Sequence, residues 1–213
     1  MSQPSTRAIP EPTLRRLPAY HEFLKKLRAQ GKTLVSCTHI SEALGVYSTQ
    51  VRKDLAVTGI VGRPKTGYDI VELMRSIESF LGWDDRRSAF LAGVGSLGSA
   101  ILGYRGFESH GLNIVAGFDT DPGIVGTEVH GKTILHLDRL TGLARRMHVH
   151  MGIITVPADV AQDVADRMIA GGIYAIWNFA PTSLRVPDNV VVQNENLASS
   201  LAVLSNRIAN REP

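Results

Sequence analysis

The sequence predicts an α/β chain in two parts: a helical module over residues 1–84, then a parallel β-sheet flanked by helices. Three observations carry this. From Ser88 onward, short apolar runs alternate with helical stretches, the pattern of strands joined by crossover helices. Before Ser88 the chain reads as short helices with clear stops. The charge divides at the same place: residues 1–87 hold 14 Lys and Arg against 9 Asp and Glu, and residues 88–213 hold 9 against 11.

Composition sets the outer limits. Over 213 residues, 44% hydrophobic and 20% charged is ordinary for a globular protein able to bury real cores. No apolar run approaches the roughly 18 residues of a membrane span. The start, MSQPSTRAIPEP, lacks the apolar block of a signal peptide, so the expected location is cytoplasmic with no membrane partner. A single cysteine, Cys37, allows no internal disulfide and no cysteine-based metal cluster; it reads as a small buried side chain, and no metal site is expected.

In the first module, Pro18 opens a helix whose apolar face is Tyr20, Phe23, Leu24 and Leu27, and Gly31 stops it. Ser36 caps a second helix that carries Ile40 and Leu44 and stops at Gly45. After a few residues Ser48 caps a third, with Val51 and Leu55 four apart on one inward face. Two helices joined this tightly form a helix-turn-helix. Ser48, Thr49, Gln50, Arg52 and Lys53 lie off the inward stripe near the N-terminus of the second, where a recognition helix meets base edges. Gly62, Pro64 and Gly67 then make a tight turn carrying Arg63 and Lys65, a wing beside the recognition helix. Asp69 caps a longer helix with Glu72 three residues on, its stripe running Ile70, Leu73, Met74, Ile77, Phe80 and Leu81 to Gly82. GWDDRRS follows as a linker.

In the second part, AFLAGV is a buried strand, SLGSAILGY a helix, and NIVAGFD and KTILHL are strands. A helix lies around Asp138 to Arg146, and VHMGIITVP is a strand. ADVAQDVADRMIAGG is a helix, and YAIWNF and NVVVQN are strands. The first strand runs into GVGSLGSA, with Gly93, Gly95 and Gly98 at the spacing of a turn under a pyrophosphate. Gly93 permits the turn, Gly95 the approach of backbone N–H groups, and Gly98 close packing of helix on strand. Asp119 ends the next strand about twenty residues on, placed to accept from both ribose hydroxyls and to repel a 2′-phosphate, which favours NAD(H) over NADP(H). Asp121 is the other candidate acid, but Asp-Pro after a strand makes a turn. The arrangement is a Rossmann-type sheet over residues 85–196, followed by a helix over 197–213 whose apolar positions are Leu197, Leu201, Leu204 and Ile208.

Several stretches together resemble Rex, the bacterial family of redox-sensing transcriptional repressors. RLPAY at 16–20, QVRKDL at 50–55, GVGSLGSA with GYRGF at 103–107, FDTDP at 118–122, TVP at 155–157 and NFAP at 178–181 occur in the family's order along nearly the whole chain. The resemblance implies an N-terminal winged helix, a Rossmann domain that senses NADH against NAD⁺, and a C-terminal helix that swaps between the subunits of a homodimer. It implies double-stranded DNA, an inverted-repeat operator, as partner. Carried over residue by residue, the cofactor site takes Ser96 and Leu97 with the three glycines, Tyr104 in a nicotinamide pocket, Asp119, Thr155, Val156 and Pro157, and Asn178 with Phe179. Two positions depart from the pattern: the family usually carries an arginine on the first helix and an aspartate before the last one, where this chain has Glu22 and Asn196.

Two other classes of function compete. An NAD-dependent oxidoreductase with an N-terminal interaction domain needs an acid or base beside the nicotinamide. TVP and NFAP offer small or apolar side chains with Asn178 as the main polar group, so no catalytic residue is expected. A CoA-type nucleotide-binding module with a protein-docking N-terminus is the other, and Asp119 argues against it.

Overall fold

Helix α1 spans Glu11–Ala29 in the computed structural model, which describes residues 9–210. It begins well before Pro18, the residue expected to open it, and carries that proline inside. Pro10 at the N-cap and Pro12 in the first turn supply the start, where a missing N–H costs nothing. Pro18 leaves the Leu14 carbonyl without its helical donor, but Leu14 is on the exposed side, where water can replace it. Leu17, Tyr20 and Leu24 are fully buried and hold the helix on both sides of the proline. The chain divides between Asp85 and Arg86 into two compact units. The expected extensions of the first module over residues 1–8 and of the last helix over 211–213 fall outside the described residues, as does the side chain of Leu197.

In the first unit, α2 (Cys37–Leu44) is capped by Ser36, whose hydroxyl accepts from the His39 N–H at 3.2 Å, and ends at Gly45 with φ 65°. Helix α3 (Ser48–Ala56) follows at once. Ser48 is its first helical residue rather than its cap; Tyr47 takes the cap position with no side-chain bond. Strand β1 (Leu34–Val35) pairs antiparallel with β2 (Tyr68–Asp69), and Arg63 bridges Gly67 around a turn in which Lys65 has φ 63°. The wing is thus a minimal hairpin. Asp69 accepts from the Val71 and Glu72 N–H groups to start α4 (Ile70–Leu81), which Gly82 ends. Ile40, Val51, Leu55, Ile70, Leu73 and Ile77 close one core with the buried face of α1.

The second unit follows in chain order: β3 (Arg87–Ala92), α5 (Ser96–Gly103), a 3-10 turn over Arg105–His110, β4 (Leu112–Asp119), β5 (Glu128–Val129) and β6 (Lys132–His136). Then come α6 (Leu140–Met147), β7 (Met151–Ile154), α7 (Ala161–Ala170), β8 (Ala175–Asn178), β9 (Val191–Asn194) and α8 (Leu197–Ala209). The strand order is β5-β6-β4-β3-β7-β8-β9, parallel throughout except for β5 against β6. Strand β5 carries no apolar run and is set by its turn: His130 and Gly131 both have positive φ, 51° and 72°, the conformation of a tight hairpin.

Alternation along β3 fixes the layers. Ala89 and Leu91 pack with Ile101 and Leu102 of α5, whereas Phe90 and Ala92 pack with Leu140 and Ala144 of α6 and Val164 and Met168 of α7. Helices therefore cover both faces of the sheet. The chain winds outward from β3 through β4 to β6, then returns to β7, so the crevice at the carboxyl ends of β3 and β7 is the topological switch point. Among the described residues, no helix is long and apolar enough to cross a membrane.

Candidate functional site

That crevice opens into a cavity of about 700 Å³. Gly93 sits at φ 91° on its floor; a β-carbon there would come within 2.7 Å of Val156 Cγ1 and 2.9 Å of the Thr155 carbonyl carbon. A β-carbon on Gly98 would collide with the Gly93 carbonyl oxygen and reach 2.8 Å from Thr155 Oγ1. The Thr155 hydroxyl donates toward the Ala92 and Gly93 carbonyls at 3.0 and 2.6 Å, tying the end of β7 to the glycine turn. Gly95 has open space where its side chain would be and lines the cavity with Leu97. Because α5 has no side-chain cap, its first N–H groups remain available at this mouth, an arrangement suited to a phosphate. Ser96, the first residue of the helix, is exposed and does not line the cavity.

Asp119 lines the cavity beside the turn. One carboxylate oxygen accepts from the Val94 N–H at 2.6 Å; the other accepts from Thr120 and Asp121 N–H groups at 2.7 and 3.0 Å. Three backbone donors fix its orientation before any ligand arrives. Asp121 instead closes a turn, accepting from the Gly123 N–H at 2.8 Å. Val156, Pro157, Phe179 and Pro181 form an apolar wall. Two expected members stand elsewhere. Asn178 is fully buried and spends its amide on the Ala180 and Thr182 carbonyls and Asn194 Oδ1, while its own oxygen accepts from the Ala180 N–H. It shapes the NFAP loop from behind. Tyr104 is 59% exposed and lines a separate polar cavity with Arg105 and Lys132. Its ring packs edge-on against Phe107, which meets Trp177, which tilts onto Phe179, so Tyr104 stands three aromatic contacts from the apolar wall.

The sequence missed the opposite side of this cavity. Leu137, Asp138, Val160, Asp163, Val164 and Arg167 line it. Arg167 donates through Nη1 to Asp138 at 2.8 Å and through Nε to Asp163 at 2.9 Å. Those bonds, Asp138 first, hold its guanidinium pKa above the ordinary arginine value. The Asp163/Arg167 spacing of four residues on a helix was visible; Asp138, on the far side of β7, was not.

In the first unit the exposed residues Arg52, Arg63 and Lys65 come together around a groove of about 510 Å³, with Ser36, Thr38, Gly62 and Tyr68. Thr49 and Lys53 are exposed on the same helix; Ser48 is half-buried. Burial first, then the neighbouring Cys37 thiol, pushes the Tyr68 phenol up, with Arg52 opposing. Gln50, half-buried on α3, donates its amide to Asp54 at 2.9 Å, on the side of the body of the unit. Asp54, fully buried, also accepts from Thr13 Oγ1, both Nε and Nη2 of Arg16, and the Tyr20 hydroxyl, at 3.0, 2.6, 2.8 and 2.7 Å. Burial pushes its carboxyl up, but these hydrogen bonds outweigh burial and hold it below the ordinary value of 3.8. The same contacts raise Arg16, while burial and then Asp54 raise Tyr20. One carboxylate thus joins α3 to α1, and it sits on the apolar stripe beside Val51 and Leu55, where a charge signals a buried partner.

Residues 8–56 match a family model described as "Putative DNA-binding protein N-terminus", and residues 84–182 match the CoA binding domain. The redox-sensing transcriptional repressor Rex of Bacteroides fragilis is 46% identical over 200 residues, 94% of this chain and 91% of that protein. Rex of Treponema denticola is 45% identical over 91% of this chain and 92% of its own length. Among solved structures, the Rex-family repressor RSP in complex with β-NAD⁺ and operator DNA superposes with a TM-score of 0.90 at 34% identity, covering 96% of this chain and 94% of that one. RSP in complex with β-NADH gives 0.86 at 34% identity over 96% of each. On sequence and on structure alike, this chain belongs to the Rex family of redox-sensing transcriptional repressors.

Proposed function

We propose that this protein represses transcription as a homodimer on an inverted-repeat operator, and that NADH bound at the β3/β7 crevice releases it. The observation that carries this reading is that one chain holds both a basic α3–wing groove and a cavity with a glycine turn in the middle and Asp119 beside it. Arg52 and Lys53 on α3, with Thr49, read base edges; Arg63 and Lys65 on the wing hold the backbone. In the cavity, the glycine turn and the open start of α5 hold the pyrophosphate, and Asp119 faces the adenosine ribose. The solved complexes of RSP with β-NAD⁺ and operator DNA, and with β-NADH, support this assignment.

Discrimination follows from desolvation. A wall of Val156, Pro157, Phe179 and Pro181 receives a neutral dihydronicotinamide at little cost and a cationic oxidised ring at a large one, since no acid in that wall neutralises it. The same wall speaks against the oxidoreductase reading, because among the described residues lining the cavity the ionisable ones are Asp119, Asp138, Asp163 and Arg167, all on the ribose and α6/α7 sides. If NADH favours a dimer geometry that mismatches successive major grooves, DNA affinity falls as NADH saturates. Complete reversal of such a switch takes about 5.5 kcal/mol, which two cofactor sites per dimer can share. Helix α8 supports the dimer: Leu201, Leu204 and Ile208 are 62, 55 and 56% exposed along one stripe. A DNA-bound repressor works in the cytoplasm. Selection of bound DNA from a random pool, repeated with NAD⁺ and with NADH, tests the proposal: a palindrome recovered with NAD⁺ and depleted with NADH is expected, and recovery of no inverted repeat overturns it.

A further inference from the structure

Two large apolar side chains, Tyr47 and Val61, each stand 86% exposed. The next most exposed among the described residues is Val191, at 68%. A single apolar residue in water is ordinary on a protein surface. Here the two extreme cases border one groove. Val61 lines it with Arg52, Arg63 and Lys65, and Tyr47 directly precedes Ser48, the first helical residue of α3.

Tyr47 departs from local rules twice. It occupies the N-cap of α3, where Ser, Thr, Asp or Asn would bond an open N–H group, and its side chain makes no such bond. It also leaves an aromatic ring in water, where its apolar area gains nothing. The fold needs neither feature. The backbone at this point is nevertheless firmly held, because the Tyr47 carbonyl accepts from the Gln50 and Val51 N–H groups at 2.8 and 3.0 Å. The ring is therefore carried at the tip of the reading helix on a fixed stem. Thr49, Arg52 and Lys53 are exposed on the turns behind it and supply polar contacts. What the ring lacks is an apolar partner, and base edges in the major groove present one apolar group, the C5-methyl of thymine. We infer that the Tyr47 ring packs on a thymine methyl in each half-site and makes the operator thymine-specific at that position; this rests on the α3–wing groove being the DNA site. Val61, on the wing with Arg63 and Lys65, lies against sugars, which carry no sequence information.

The test replaces each thymine of the selected operator in turn, in both half-sites, by deoxyuridine, which pairs identically and lacks only the methyl group. Anisotropy with the full chain and NAD⁺ reads the affinity. One thymine per half-site is expected at which the change weakens binding about fourfold for one half-site and about fifteenfold for both, the scale of one buried methyl group each. Tyr47→Phe keeps the ring and is expected to keep this effect. Tyr47→Ala is expected to bind thymine and deoxyuridine operators equally, with an unchanged melting point because the ring caps nothing. Val61→Ala is expected to weaken both operators alike. If no thymine methyl matters to the unaltered protein, the proposal falls while the DNA reading stands. A methyl effect that survives Tyr47→Ala, or that disappears in Val61→Ala instead, takes the role from Tyr47. Loss of the dimer in Tyr47→Ala, seen by light scattering, gives the ring to a second copy of the chain and overturns the proposal. If no operator is bound at all, the groove is not a DNA site and the inference falls with that reading.

Discussion

Asp54→Asn is the substitution whose cost the structure defines most closely. The native carboxylate receives five donors on two oxygens: Thr13, Arg16 Nη2 and Gln50 on Oδ1, Arg16 Nε and the Tyr20 hydroxyl on Oδ2. An asparagine keeps one oxygen, best placed at the Oδ1 position with its three donors. Its NH₂ then occupies the Oδ2 position, where the Tyr20 hydroxyl can turn to accept but Arg16 Nε cannot. One buried donor faces another, and the arginine loses its counter-ion, although its side chain is 28% exposed and regains some water. Breaking a buried pair costs about 3–5 kcal/mol, and the remaining bonds put Asp54→Asn near 3 and Asp54→Ala near 5. A domain of this size has a total stability of roughly 4–13 kcal/mol, so the asparagine variant survives with its melting point lowered by about 12–24 °C. The protein has two tryptophans. Urea unfolding followed by Trp83 fluorescence in a Trp177→Phe background reads the first unit by itself. The sign with pH is fixed. Because the folded-state pKa of Asp54 lies below 3.8, its contribution is fully present above that value and is lost as pH falls through the lower folded value. The gap between native and Asn proteins should stay constant from neutral pH to about pH 5 and narrow below 3.8. An Asn variant within about 1 kcal/mol of the native protein at pH 7, or a gap undiminished in acid, would refute the account.

Gly98→Ala should abolish NADH binding in titrations, since its methyl meets a fixed carbonyl and Thr155 Oγ1 and forces α5 off β3; unchanged affinity would show that the turn adapts. Asp119→Ala should weaken NADH and narrow its advantage over NADPH, by removing a ribose acceptor and a repelling charge; an unaltered protein that binds both equally tightly ends that role for Asp119. Arg52→Ala should relax operator specificity and cost about 1–3 kcal/mol in anisotropy assays, whereas Lys65→Ala should lower affinity uniformly across sequences. Glu22 pairs with Lys25 at 3.0 Å, and Asn196 caps α8 through the Ser199 N–H at 3.2 Å. The double change Glu22→Arg with Asn196→Asp keeps a capping oxygen, replaces one charge and adds another, and should raise the NADH needed to release a labelled operator; an equal or lower midpoint excludes these positions from the switch.

What the sequence by itself determined is local or periodic. Alternating apolar runs specified the parallel sheet, because a strand buried on both faces has no other composition. Glycines 93, 95 and 98 specified the turn and Asp119 the end of the next strand, because backbone approach and strand length are short-range constraints. Val51 and Leu55 told which face of α3 turns inward. What only the tertiary structure decided is which distant group meets which. Asp54 reads as one more charge on a basic helix until Thr13 is brought to it across 41 positions, and with it Arg16 and Tyr20. Gln50, polar and off the stripe, turns inward because that carboxylate offers it an acceptor. Asn178 goes to the loop behind the cavity and Tyr104 to the far end of an aromatic chain, although the family resemblance counts both in the cofactor site and puts Tyr104 at the nicotinamide. Asp138 and Asp163 face one arginine because α6 and α7 pack side by side on the same face of the sheet. The physical reason is common to all of these: periodicity reports how much water a side chain loses, whereas the direction of a polar group is set by the partner that replaces that water, and that partner comes from elsewhere in the chain.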